Sequence, residues 1–426
     1  MKYVLVIGDG MADTALEALG GKTPLESLDL DAFDRVAGGM LGRVQTVPHG
    51  LAPGSDTAIL SIFGNDPRTC YTGRSVLEAA GMGILLAPGS LSLRVNLCAV
   101  LPQGDGLTIH SHNGGNIHGE QALSLMRSLT EHPAFAEAMA AAGLHIHITD
   151  TFRHIGVMHS AACDLAALRL TEPHNVLGED IAAHLPQMVR ATDDAATLRL
   201  CEDIRALMRL SYDVLRDHPV NRSRVADGLL PANMIWPWGA ATAMKLENFE
   251  HKYHRRGAVV SAVPLVWGIA ALSGLYTPKV AGANGDLDTN YEGKAACALD
   301  ALLSQGYDFA AVHVEAPDEM AHAGSLEKKL LAIRHVNDRV LRPLMAGLDR
   351  QGEPYRLLLL SDHPTLLTTR THDGAPVPYA LYDSRSGAAA RAGDAAPRRK
   401  FSESEAMGTP LLADGTRLMA MLFEQA

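Results

Sequence analysis

Asp9, Asp318, His322, Asp362, His363 and His372 supply carboxylate and imidazole groups of the kind that hold divalent metal ions. Most of them stand just past a short apolar run. Asp9 follows Tyr3–Ile7 within Gly8-Asp9-Gly10, and Glu315-Ala316-Pro317-Asp318 follows Phe309–Val314. Ser361-Asp362-His363 follows Leu357–Leu360, and Thr371-His372-Asp373 comes a little later. Taken singly, each has an ordinary reading as a turn aspartate, a helix cap or a satisfied histidine. Taken together they form a donor set. Asp318 and His322, four apart, can share one helical turn and one ion. Asp362 and His363 are adjacent, diverge, and can serve neighbouring ions. Two ions about 4 Å apart form the usual clamp for in-line phosphoryl displacement. The nucleophile such a clamp needs is offered by Ala52-Pro53-Gly54-Ser55-Asp56-Thr57-Ala58, where a Pro-Gly turn presents Ser55 before an apolar stretch, Ala58–Phe63. A serine there is ordinarily an N-cap. It is also where backbone N–H groups point outward and an anion can be held. No cysteine or lysine occupies a comparable turn.

The elements that must position these residues follow from the patterning. Tyr3–Ile7, Phe309–Val314 and Leu357–Leu360 are continuous apolar runs, as expected of central parallel strands covered on both faces. Ligands of open α/β sheets gather beyond the carboxyl ends of such strands. Strand–helix alternation includes a strand at Gly257–Ala262, a stretch at Leu265–Leu272, a stretch at Tyr291–Leu303, a long helix from Ser325 to about Met345 and a last strand at Pro376–Tyr382. From Ala87-Pro88-Gly89 the texture changes. Strands are expected at 91–101, 107–110, 144–148 and 153–159, with helices at 120–129, 134–142, 179–189 and 195–216. This predicts an inserted α+β domain, residues 88–229, within a core formed by 1–87 and 230–426. Arg385–Lys400 reads as a loop with little order of its own. His110/His112 and His145/His147 each lie on one strand face; a zinc pair is one reading and exposed strand positions the other.

Composition narrows the partners. Lys and Arg number 37 against 48 Asp and Glu, a formal charge of −11, which excludes nucleic-acid binding as the main activity. Five scattered cysteines without a CxxC pair fit a reducing compartment rather than a disulfide framework. The apolar run after Met1-Lys2 is too short for a signal peptide, and no run approaches a membrane span. A cytoplasmic protein that does not bind membranes is expected. The number of subunits stays open, a homo-oligomer included.

The order Gly8-Asp9-Gly10, Pro53-Gly54-Ser55-Asp56-Thr57-Ala58, His313-Val314-Glu315-Ala316-Pro317-Asp318-Glu319…His322, Asp362-His363…Thr371-His372 resembles the alkaline phosphatase superfamily. More closely it resembles the archaeal-type cofactor-independent phosphoglycerate mutases. Tyr71-Thr72-Gly73-Arg74, His218-Pro219-Val220-Asn221 and Leu287-Asp288-Thr289-Asn290-Tyr291-Glu292-Gly293-Lys294-Ala295 extend the resemblance over most of the chain. It implies an α/β fold with an alkaline-phosphatase-like core, a central, mostly parallel sheet flanked by helices, and the smaller inserted domain closing over the substrate. It implies two divalent ions of the Mn, Mg or Zn class and no 2,3-bisphosphoglycerate. One ion would sit on Asp9, Ser55, Asp362 and His363, the other on Asp318, His322 and His372. Ser55 would accept the phosphoryl group of 3-phosphoglycerate as phosphoserine and return it to give 2-phosphoglycerate, with Arg153 binding the substrate, a small phosphorylated carboxylate. Two departures bear on that substrate. Trp267 stands where relatives generally carry a lysine, and Ala375 where they carry an aspartate. The alternatives are a metal-dependent phosphohydrolase, or a phosphotransferase to another small hydroxy or amino acid such as a homoserine kinase. A catalytically silent regulator would have no need of the complete donor set.

Overall fold

Lys2–Gly8, Phe309–Val314 and Tyr355–Leu360 carry few polar residues, so each must be covered on both faces, and the structure buries nearly all of them. The computed structural model describes residues 1–159, 163–386 and 399–424. The strands of its two main sheets are β1 (Lys2–Gly8), β2 (Met40–Val44), β3 (Ser90–Gln103), β4 (Gly106–Ser111), β5 (Leu144–His147), β6 (Arg153–His159), β7 (Met234–Thr242), β8 (Gly257–Val260), β9 (Phe309–Val314), β10 (Tyr355–Leu360), β11 (Val377–Asp383) and β12 (Leu411–Leu412). Three helices bear on the site: α1 (Ser55–Ile62), α2 (Pro264–Leu272) and α3 (Ala316–His322).

One unit comprises Met1–Tyr71, Ala80–Gly83 and Lys245–Ala426. Its sheet has the order β8-β9-β1-β10-β11-β2-β12. Strands β8, β9, β1 and β10 are mutually parallel, and only β11 runs against its neighbours. Parallel pairing requires crossover connections, and these supply the covering helices. The core between sheet and helices includes Val4, Val6, Phe33, Ala295, Val312, Ile333, Leu344 and Leu357. The long helix expected from Ser325 runs as Leu326–His335, a π-turn at Val336–Leu341, then Arg342–Gln351. Pro343 has no N–H to continue the α ladder, and the preceding six residues take the wider register.

The other unit comprises Thr72–Ala79 and Ile84–Met244. Its sheet runs β4-β3-β6-β5 with β7 also on β3, and every pairing is antiparallel. These limits are wider than 88–229. Met234–Thr242 hydrogen-bonds along β3 and so belongs here, as does Thr72–Ala79, where Ser75 Oγ lies 2.9 Å from Ser92 Oγ. The helix expected at 179–189 does not form. A 3₁₀ turn at Ile181–Ala183 is followed by Gln187–Met188, which pairs with Leu168–Arg169. Pro186 lacks the N–H a helix needs and disfavours helical geometry at Leu185. The loop expected at Arg385–Lys400 lies for the most part outside the described residues. Among those residues no helix is long and apolar enough to cross a membrane.

Candidate metal and phosphoryl-transfer site

The register of the parallel strands brings the chemistry to one edge. Ile7 pairs with Leu360 and Gly8 with Val314, so Asp9, Ser361-Asp362-His363 and the entry to α3 begin at one level. Helix α3 then carries Asp318 in its first turn and His322 at its end. His372 is returned by a short ribbon in which Thr365 pairs with His372. Gly10 allows the approach: its φ is +59°, and a Cβ there would lie 2.6 Å from Thr365 Oγ1 and 2.7 Å from Asp318 Oδ1.

Ser55 is not the N-cap of its helix. Gly54 occupies that position without a side-chain cap, and Ser55 is the first helical residue. Its hydroxyl is therefore not spent on the backbone. Ser55 Oγ lies 3.2 Å from Asp9 Oδ2 and 3.2 Å from His363 Nε2. His363 Nε2 is 3.3 Å from Asp362 Oδ2 and 3.6 Å from Asp9 Oδ1. On the other side, Asp318 meets His322 Nε2 at 3.2 Å and His372 Nε2 at 3.5 Å. The two imidazole Nε2 atoms face each other at 2.9 Å. All seven residues singled out from the sequence thus meet. One detail differs from the expected partition: His363 groups both with Asp9 and Asp362 and with Asp318 and His372, with ligand atoms in each group within 4.8 Å of one another.

The electrostatics fit a cation. Burial raises the Asp9 carboxyl well above the usual range, and Asp362, Asp318 and Glu315 add to it. Asp9 Oδ1 and Asp362 Oδ2 are buried without a hydrogen bond. Two such oxygens beside a neutral imidazole form a donor set that a divalent ion would satisfy. Burial lowers the His363 pKa, which keeps the imidazole in the form that binds metal. Burial also acts to raise Asp318, but hydrogen bonds from His322 and His372 outweigh it and leave the group well below its ordinary value. The same Asp318 bond raises His322 to about 9. Metal binding here must displace that proton.

Several further groups, to which the sequence assigned no role, take part. His313, inside β9, places Nε2 2.9 Å from Asp9 Oδ2 and Nδ1 3.2 Å from Ser261 Oγ. Thr365 Oγ1 donates to Asp318 Oδ1 at 2.5 Å and lies 3.2 Å from His363 Nδ1. Glu315 and Glu319 form a third donor group with Asp318. Lys329, fully buried, donates to Asp13 Oδ2 at 2.8 Å and to the Thr365 carbonyl at 2.6 Å. A histidine interrupting an otherwise apolar buried strand was the available signal for His313. Nothing local marked Thr365.

Arg153 lies in the other unit, at the start of β6, its guanidinium 5.2 Å from the Phe152 ring. It belongs to a basic cluster. Buried Glu78 accepts from Arg74 at 3.1 Å and pairs with Arg94 at 3.0 Å, and the charge of Arg153 also acts on Glu78. Three arginines thus act on one buried glutamate. His145 and His147 have ring centroids 4.6 Å apart, yet among the described residues neither they nor His110 and His112 join a third donor.

The fold is similar to that of the cofactor-independent phosphoglycerate mutase from Thermoplasma acidophilum. The TM-score is 0.59 at 23% identity, over 100% of this chain and 99% of that one. A protein from Pyrococcus horikoshii superposes with a TM-score of 0.75 at 26% identity, over 100% and 98% of the chains. Residues 37–221 match the profile of 2,3-bisphosphoglycerate-independent phosphoglycerate mutase. The chain is 40% identical to a probable enzyme of that name from Geobacter sulfurreducens over 100% of both chains. It is 42% identical to the one from Methanothrix thermoacetophila over 90% of this chain and 91% of the other. The chain belongs to the 2,3-bisphosphoglycerate-independent phosphoglycerate mutases.

Proposed function

We propose that this protein interconverts 3-phosphoglycerate and 2-phosphoglycerate through a phosphoserine on Ser55. The observation that carries the reading is the Ser55 hydroxyl, uncapped at the start of α1 and 3.2 Å from both Asp9 and His363. Asp9, Asp362 and His363 would hold one divalent ion with Ser55; Asp318, His322 and His372 would hold a second, of the Mn, Mg or Zn class. Such ions neutralise charge on a transferring phosphoryl group and lower the pKa of a bound nucleophile. Ser55 Oγ bonds to phosphorus as the bond to O3 of the substrate breaks, and the proton given up by Oγ ends on O3, so that glycerate leaves as the alcohol. Free amide groups at the start of α1 would favour a phosphate on Ser55. Glycerate then attacks from O2, the P–Oγ bond breaks, and the O2 proton returns to Oγ. The cationic set of Arg74, Arg94 and Arg153 supports a role for Arg153 in binding the phosphorylated carboxylate. Five scattered cysteines without a CxxC pair agree with a cytoplasmic setting.

Incubation with 3-phosphoglycerate and Mn²⁺, without bisphosphoglycerate, followed by phosphorus NMR, tests the reading. Formation of 2-phosphoglycerate is expected. Release of free phosphate alone would instead assign a phosphohydrolase, a reading the named relatives do not favour.

A further inference from the structure

The Lys279 ammonium lies over the face of the Trp267 indole, 2.7 Å from the ring centroid. Among the described residues it forms no ion pair, and burial alone acts on it. The indole N–H of Trp267 is itself buried and lacks an acceptor. Lys279 is thus a cation held on the indole face with no acidic partner among the described residues, a group that an oxyanion would neutralise.

The pair stands at the edge of the sheet that bears the site. Trp267 lies in the first turns of α2, which follows β8 and packs against α1, the helix that Ser55 opens. Tyr276 bridges in parallel to Ala258 of β8. Three residues beyond Ala258 is Ser261, bonded to the His313 that holds Asp9. Lys279 reaches this edge through its contact with Trp267, whose helix begins four residues after the end of β8. The segment then passes the end of β9, where a Cβ on Gly285 would lie 3.5 Å from Glu315 Oε2. Tryptophan is the strongest aromatic seat for an ammonium, and the contact holds a flexible four-carbon side chain in one place. The loss of water on that side lowers the Lys279 pKa to about 8, and an anion at hand would favour the charged form again.

We propose that Lys279, seated on Trp267, binds a phosphoryl or carboxylate oxygen of the substrate, so that the pair helps decide which small anion the site accepts. This rests on the reading of the Ser55 edge as the substrate site.

The test is isothermal titration of the Mn²⁺-loaded protein with two probes, inorganic phosphate and D-glycerate. In Lys279→Met at least one probe should bind about 10- to 100-fold more weakly than in the wild type, as for loss of a charged hydrogen bond. Lys279→Arg should stay within about threefold, and the thermal midpoints should agree. Weakening of phosphate assigns the phosphoryl oxygen, and weakening of glycerate the carboxylate. Lys279→Gln repeats the measurement with a polar side chain in case the methionine disturbs packing. Undiminished binding of both probes in these variants overturns the proposal, as does a wild type that binds neither. Because the readout is binding, a wild type inactive on 3-phosphoglycerate would remove the mutase reading and leave this result to stand or fall by itself.

Discussion

His313 Nε2 stands 2.9 Å from Asp9 Oδ2, and both side chains are about 1% exposed. Burial drives the His313 pKa down to about 3, so the ring is neutral and Nε2–H donates to the carboxylate, while Ser261 Oγ meets Nδ1. A neutral imidazole in this place orients Asp9 without competing with an ion for its other oxygen. His313→Ala is therefore expected to weaken Mn²⁺ binding about 10- to 100-fold. Titration of metal-stripped protein followed by Mn²⁺ paramagnetic resonance checks this. Equal affinity would show that Asp9 needs no such support.

Ser55→Ala removes the hydroxyl and leaves the helix start intact, since Gly54 rather than Ser55 is the N-cap. Stability should change by less than about 1 kcal/mol, while mutase turnover falls at least about 10⁴-fold. Quenched-flow mass spectrometry should detect the phosphoenzyme only in the wild type. Retained turnover in Ser55→Ala would remove the serine from the mechanism.

Lys329 and Asp13 are both wholly buried, 2.8 Å apart, and the lysine also holds the Thr365 carbonyl. Lys329→Met strands Asp13 in the core, at a cost of about 3–5 kcal/mol in urea unfolding. Because Thr365 Oγ1 bonds Asp318, binding of one of two Mn²⁺ equivalents should weaken as well. A change below about 1 kcal/mol would contradict this account of the pair.

Glu403 has its pKa raised to about 7 from an ordinary 4.5, with burial as the largest cause. A carboxyl whose folded pKa is raised contributes stability below pH 4.5 and loses it as pH rises through 7. The loss is on the order of 3 kcal/mol. Glu403→Gln, which can still accept from the Asp13 amide and donate to Thr23, stays neutral throughout. Its stability relative to the wild type should grow between pH 5 and 7.5 in urea titrations. A difference independent of pH would contradict the burial argument.

Much of this was legible in the residues themselves. Continuous apolar runs announce strands buried on both faces, and β9 begins and ends where its pattern does, at Phe309 and Val314. Donor residues placed just after such runs announce the site, because parallel strands side by side must end on one edge. Local chemistry also explains the misreadings: Pro186 abolished a helix that apolar spacing alone suggested, and Gly54 took the cap that Ser55 was expected to provide. What tertiary structure alone decided lies in contacts between distant segments. Nothing near Ser55 in the chain states that its hydroxyl will face Asp9 and His363 rather than its own helix. Nor does sequence spacing reveal that His363 stands in both donor groups, that Thr365 braces Asp318, or that Lys279 rests on Trp267. Periodicity records which face of an element is buried. Which donor meets which partner depends on strand order and register, and these are properties of the assembled sheet.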